Sequence, residues 1–151
     1  MLTTLLLIQL LATGFMTGLI WFVQVVHYPL FACVGSGQFM QYEDQHTRRT
    51  TLVVAPVMLI EAMSVIALVI TAPAGAMQSL AWLGAALLLV IWISTAALQV
   101  PCHRVLSRGF EAAVAQRLSV SNWIRTLGWS MRCVVSLLML LQMMQALVGP
   151  S

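Results

Sequence analysis

The sequence predicts an all-α integral membrane protein, a single domain over residues 1–151 built as a four-helix bundle. Three observations lead there. Hydrophobic residues make up 61% of the chain and charged residues only 7%, whereas a soluble domain is about half apolar and a quarter charged. The apolar residues gather into four long stretches, and mean hydropathy is +0.97. All seven basic residues are arginines, confined to 41–50 and 101–125 apart from Arg132 inside the last stretch. So little polar surface cannot cover a body in water, and lipid is the expected solvent.

The spans follow in order: about 2–31, 52–71, 80–100 and 126–148. Each is near or above the ~20 apolar residues that a helix needs to cross a bilayer. In hydrocarbon every backbone amide must be satisfied within the segment, which demands helices. The first stretch has no basic flank and no small-x-small cleavage site, and is too long for a signal peptide. It is expected to stay as the first span. The segment 35–50 carries Phe39, Tyr42, Gln45, His46 and Arg49 at spacings of three or four, the pattern of a short amphipathic helix at the interface. Pro29 and Pro56 are expected to break or kink their spans, freeing carbonyls that can line a cavity.

Arg48 and Arg49 lie in the first loop and Arg104, Arg108 and Arg117 in the third, while 72–79 and both tails carry no charged side chain. Arginine-rich loops face the cytoplasm. Both termini are then outside, on the periplasmic side of a bacterial inner membrane. The net charge of +3 reports topology, not nucleic-acid binding. Cys33 and Cys102 fall on the reducing side and Cys133 inside a span, so no disulfide framework is expected.

Inside the spans the polar residues are the informative ones. Thr13, Thr17, Trp21, Gln24 and His27 form one helical stripe, Trp92, Thr95, Gln99 and His103 a second, and Arg125, Trp129, Arg132 and Ser136 a third. Gly14 and Gly18 form a Gly-x-x-x-Gly pair that lets a neighbouring helix come close. Glu61 lies eleven residues beyond Thr50, about 16 Å at ~1.5 Å per residue, near the middle of the bilayer. A charge there needs a partner, and Arg132 enters to a similar depth. The pair either fixes helix register or serves substrate and proton handling. His27, His46 and His103 gather at one membrane face, where they can ligate a transition metal or haem, joined by a carboxylate such as Glu43, Asp44 or Glu61, or donate hydrogen bonds near the headgroups or to the Tyr42, Glu43 and Asp44 cluster. No compact metal motif joins them.

Two motifs carry a family resemblance. Gln99-Val100-Pro101-Cys102-His103-Arg104 leaves span three, and Asn122-Trp123-Ile124-Arg125-Thr126 enters span four. With His27-Tyr28-Pro29 at the end of span one, the chain resembles the anthrone-oxygenase-like family of small four-span bacterial membrane proteins. That resemblance implies a Val-Pro motif at Pro101 and an Asn-x-x-Arg-Thr motif at Asn122, Arg125 and Thr126. Its named branch oxidises anthrones to quinones; most members have no known activity. At Asn122 the motif reads as the N-cap of span four, with Arg125 in the first turn. A cation is disfavoured there, so Arg125 calls for a partner such as Glu111, lipid phosphate or a ligand.

Two functions compete. One is an oxidoreductase or oxygenase-like enzyme acting on a lipophilic aromatic or quinone-like molecule at a cytoplasm-facing polar site. Its catalytic groups would be Glu61, Arg132 and Arg125, its cofactor or metal ligands His27, His46 and His103, and its pocket Trp21, Gln24, Trp92, Gln99, Asn122 and Trp129. The cofactor is a transition metal, haem or none. The other is a non-enzymatic small subunit or binding protein, alone in the bilayer, as a homo-oligomer or in a membrane complex.

Overall fold

The structure is a computed structural model that describes residues 1–148. Helix α1 (Leu2–Phe22) runs on through a π-helical turn (Val23–His27) into a 3-10 turn (Pro29–Cys33). Helix α2 spans Ser36–Thr71; α3 (Ala76–Ser94) passes through a second π turn (Thr95–Gln99) into α4 (Val100–Leu106); α5 covers Ala112–Val148. Four stretches, Leu2–Cys33, Ser36–Thr71, Ala76–Leu106 and Ala112–Ala146, are long and apolar enough to cross a membrane. The chain is a multi-pass membrane protein of the all-α class. Helix α5 packs on α1 and α3, and α2 packs on the same two, which closes the bundle.

Both π turns have one cause. Proline lacks an N–H and its ring collides with the carbonyl four residues back. Pro29 and Pro101 each follow a π turn by two residues, and Tyr28 N bonds Val23 O at 3.0 Å across the wider loop. Pro56, by contrast, sits inside an unbroken α2. Gly75 turns α2 into α3 with φ +103°, a conformation that L side chains rarely adopt.

Three expectations are corrected. The segment 35–50 is no separate interfacial helix: from Ser36 it is the first part of α2, which runs 36 residues, and Phe39 and Glu43 face the core. The expected loop 101–125 is mostly helical, because α4 fills its start and α5 begins at Ala112. Asn122 therefore caps nothing. It lies three turns inside α5, fully buried, and Arg125 is not in a first turn. Buried residues at 118, 122, 125, 126 and 129 carry the helical period through this polar stretch.

Among the described residues the Gly14–Gly18 pair makes no close helix contact, since a Cβ added at either position meets nothing within 4 Å. Close approach occurs at Gly128 instead, where a Cβ would stand 2.8 Å from Ile91 Cγ1.

Two apolar clusters fill the bundle. One, around Leu6, Leu68, Ala81, Val135 and Met139, lies toward the termini. The other, around Met16, Ile20, Phe31, Phe39, Ile91 and Leu118, lies toward the arginine-rich end. A buried polar layer crosses all four rods between them.

Candidate functional site

That layer centres on Glu61, whose carboxylate is fully buried. Oε1 accepts from Thr13 Oγ1 at 2.8 Å and from Arg132 at 3.3 Å, and Oε2 accepts from Trp129 Nε1 at 2.9 Å. Arg132 also donates to the Gly84 carbonyl on α3. Gln9 extends the network, donating to Thr13 Oγ1 at 2.9 Å and accepting from Ser64 Oγ at 2.5 Å. The pair expected from depth alone is thus formed, and each carboxylate oxygen has a donor. Glu61 lines neither of the two cavities described below.

A second polar layer lies nearer the arginine-rich end. Asn122 Nδ2 donates to Gln24 Oε1 at 2.9 Å, and Gln24 Nε2 donates to the Ser119 carbonyl at 3.1 Å. Gln99 Nε2 donates to Ser121 Oγ at 3.0 Å. These amides stitch both π turns to α5.

Beside that layer opens a cavity of about 420 Å³, within the ~300–1,000 Å³ range of small-molecule sites. Met16, Leu19, Ile20, Val23, Val54 and Met58 form its apolar wall. Tyr28, His46, Gln99, His103 and Arg125 supply the polar side, and Thr51, Arg104 and Ser107 stand at exposed positions along it. Both π turns contribute: they aim Val23, Thr95 and Gln99 into this space, a frequent use of such bulges.

Along the polar side runs a hydrogen-bonded chain. Glu43, fully buried on α2, meets His103 Nδ1 at 2.5 Å, and His103 Nε2 meets the Tyr28 hydroxyl at 3.2 Å. A carboxylate only accepts, so Nδ1–H donates to it. A neutral imidazole then offers Nε2 as acceptor for the Tyr28 O–H. Glu43 Oε2 has no hydrogen-bond partner. From sequence, Glu43 stands among the carboxylates able to join a metal site and in the Tyr42, Glu43 and Asp44 cluster that the histidines can hydrogen-bond, and the His103 contact is of that second kind. Tyr28 stands only within a motif, because its place in the chain depends on elements distant in sequence.

His27 and His46 form a second pair, ring nitrogens 2.8 Å apart, with Tyr42 stacked on the His46 ring. His46 and Thr50 also line a more polar cavity of about 560 Å³ with His27, Gln38, Gln41, Gln45 and Arg49. His46 and Thr50 are thus shared by an apolar chamber and a polar one.

The three histidines do converge, with the His46 and His103 rings 5.6 Å apart. Yet among the described residues no three His, Cys, Asp or Glu side chains are placed to hold a metal ion. Their nitrogens are turned to each other, to Tyr28 and to Glu43. The donor set does not fit a metal ion held by all three histidines, and no step is routed through one.

Of the expected pocket residues, only Gln99 lines the cavity. Trp21 and Trp92 are exposed on the outside of the bundle, Trp21 donating to Ser130 Oγ at 3.0 Å. Gln24, Asn122 and Trp129 are buried in packing and hydrogen bonds behind it. Glu111 is exposed and forms no ion pair with Arg125. The chain matches no protein-family model, no curated protein and no solved structure.

Proposed function

We propose that this is a membrane enzyme of the oxidoreductase or oxygenase-like kind, taking a lipophilic aromatic ketone or quinone-like molecule from the bilayer into the apolar cavity. The observation that carries the reading is the Tyr28–His103–Glu43 chain on the wall of that cavity. Such a chain suits removal of an acidic proton beside a carbonyl. The substrate proton goes to the Tyr28 oxygen as the Tyr28 proton moves to His103 Nε2, which leaves an imidazolium against the Glu43 carboxylate. Arg125 holds the oxyanion that forms. Dioxygen is the oxidant: a methylene becomes a carbonyl with one oxygen atom, and the other leaves as water. The site faces the cytoplasm of a bacterial inner membrane, with both termini outside, because the arginines of the flanking segments stay inside.

The test is oxygen-dependent conversion of anthrone to its quinone by purified protein, followed by absorbance. Wild type is expected to exceed protein-free micelles, and Glu43→Gln and Tyr28→Phe to slow it by about 100-fold or more, as general acid–base catalysis is worth ~10²–10⁴. Equal rates for wild type and Glu43→Gln would overturn the assignment. A second reading, a non-catalytic binding protein or small subunit, is favoured by the sealing of Glu61, since the deepest acid is spent on holding helices together. Binding of anthrone without turnover decides for it.

A further inference from the structure

Arg125 has no acidic partner. The chain has four carboxylate side chains. Glu43 is taken by His103 and Glu61 by Arg132, while Asp44 and Glu111 are exposed. No ion pair reaches Arg125 among the described residues. Its side chain is only 9% exposed, and its Nε has no hydrogen-bond partner among the described residues. One face of the guanidinium rests against Trp129, 5.3 Å from the ring centre, a contact that holds the fork flat. The Tyr28 hydroxyl lies beside it, and both line the cavity.

Arg132, two turns further along α5, has its charge met by Glu61 and by the Gly84 carbonyl. The contrast is between two buried arginines on one helix, one matched within the protein and one facing a cavity. A buried cation without a counter-charge is costly in a low-dielectric site. A planar guanidinium suits two-point binding of a carboxylate or similar oxyanion. The rest of the lining includes the apolar Met16, Ile20, Val54 and Met58.

We infer that the cavity binds an amphiphilic anion, its carboxylate or phenolate oxygen on Arg125 and its apolar body along α1 and α2. This rests on the cavity being the binding site proposed above, but not on the proton-transfer chemistry.

A matched pair of probes tests it: 9-anthracenecarboxylate and 9-anthracenemethanol share one aromatic body and differ in charge. Their fluorescence on titrating the full-length protein in neutral detergent, corrected for partition into empty micelles, gives two dissociation constants. The carboxylate is expected to bind at least tenfold tighter than the alcohol. Arg125→Gln is expected to erase that preference while leaving the alcohol bound as before, and Arg104→Gln, at the rim, to retain it. Equal affinities in wild type overturn the inference with no variant needed, as does a preference carried by Arg104. Should Arg125→Gln fail to fold, Arg125→Lys is expected to weaken the carboxylate severalfold while the alcohol is unchanged; unchanged carboxylate binding would count against the inference. Anthrone turnover without acid preference removes this inference alone, whereas acid preference without turnover removes only the proposed chemistry.

Discussion

Glu61 and Glu43 show how differently two buried acids behave in one bundle. Glu61 receives three donors from three side chains on α1 and α5, so its charge is spread within the layer. Glu43 has one strong partner and one free oxygen. Removing Glu61 strands Arg132 in the interior, and breaking a buried pair costs about 3–5 kcal/mol. Glu61→Ala should destabilise the protein on that scale in reversible unfolding from detergent. Adding Arg132→Met should recover part of the loss, because the orphaned charge goes too. If Glu61→Ala unfolds at the wild-type midpoint, the layer does not hold the bundle. Depth along the second span made Glu61 and Arg132 legible as partners. The His103–Glu43 contact was legible in outline, as a histidine hydrogen-bonded to the Tyr42, Glu43 and Asp44 cluster, but its extension to Tyr28 was not, since no spacing rule links 28 to 103.

At the scale of elements, α5 depends on small residues where it meets α3. Gly128 leaves no room for a side chain against Ile91, and forcing one into a packed contact costs about 1–3 kcal/mol. Gly128→Leu should therefore lower thermal stability in detergent, and Gly14→Leu, on an open position, should not. Equal effects would mean that Gly14 faces another chain. Charge misled the reading of element ends. The polar stretches 35–50 and 101–125 look like loops by composition, yet 36–50 carries no proline and 112–125 neither proline nor glycine, and a helix already started continues cheaply. At about 1.5 Å per residue, α2 and α5 reach roughly 55 Å, well beyond a ~30 Å core. Their N-terminal thirds build the arginine-rich end and carry Glu43, His46 and Arg117.

For the whole molecule, four candidate spans put Leu2 and Ala146 at one end of the bundle and all the arginines but Arg132 toward the other. Cys33 is exposed near the arginine-rich end, whereas Cys102 is buried. With the proposed orientation, a membrane-impermeant maleimide should label Cys33 in inverted vesicles and leave it unlabelled in intact cells. Labelling in intact cells would reverse the topology.

Composition and the run lengths of apolar residues determined that this chain is helical, multi-pass and lipid-embedded, because the bilayer's demand for backbone satisfaction and ~20-residue spans acts on sequence directly. Depth was readable for the same reason, and with it the likeness of level of Glu61 and Arg132. Only the tertiary structure decided which way each stripe turns. It sent Trp21 and Trp92 outward, closed Asn122 against Gln24, and left Arg125 facing a cavity. In a membrane helix apolar residues suit lipid and core alike, so periodicity carries little sign of which face is inside. Rotation about the helix axis is set by partners from other helices, and those appear only when the rods are packed.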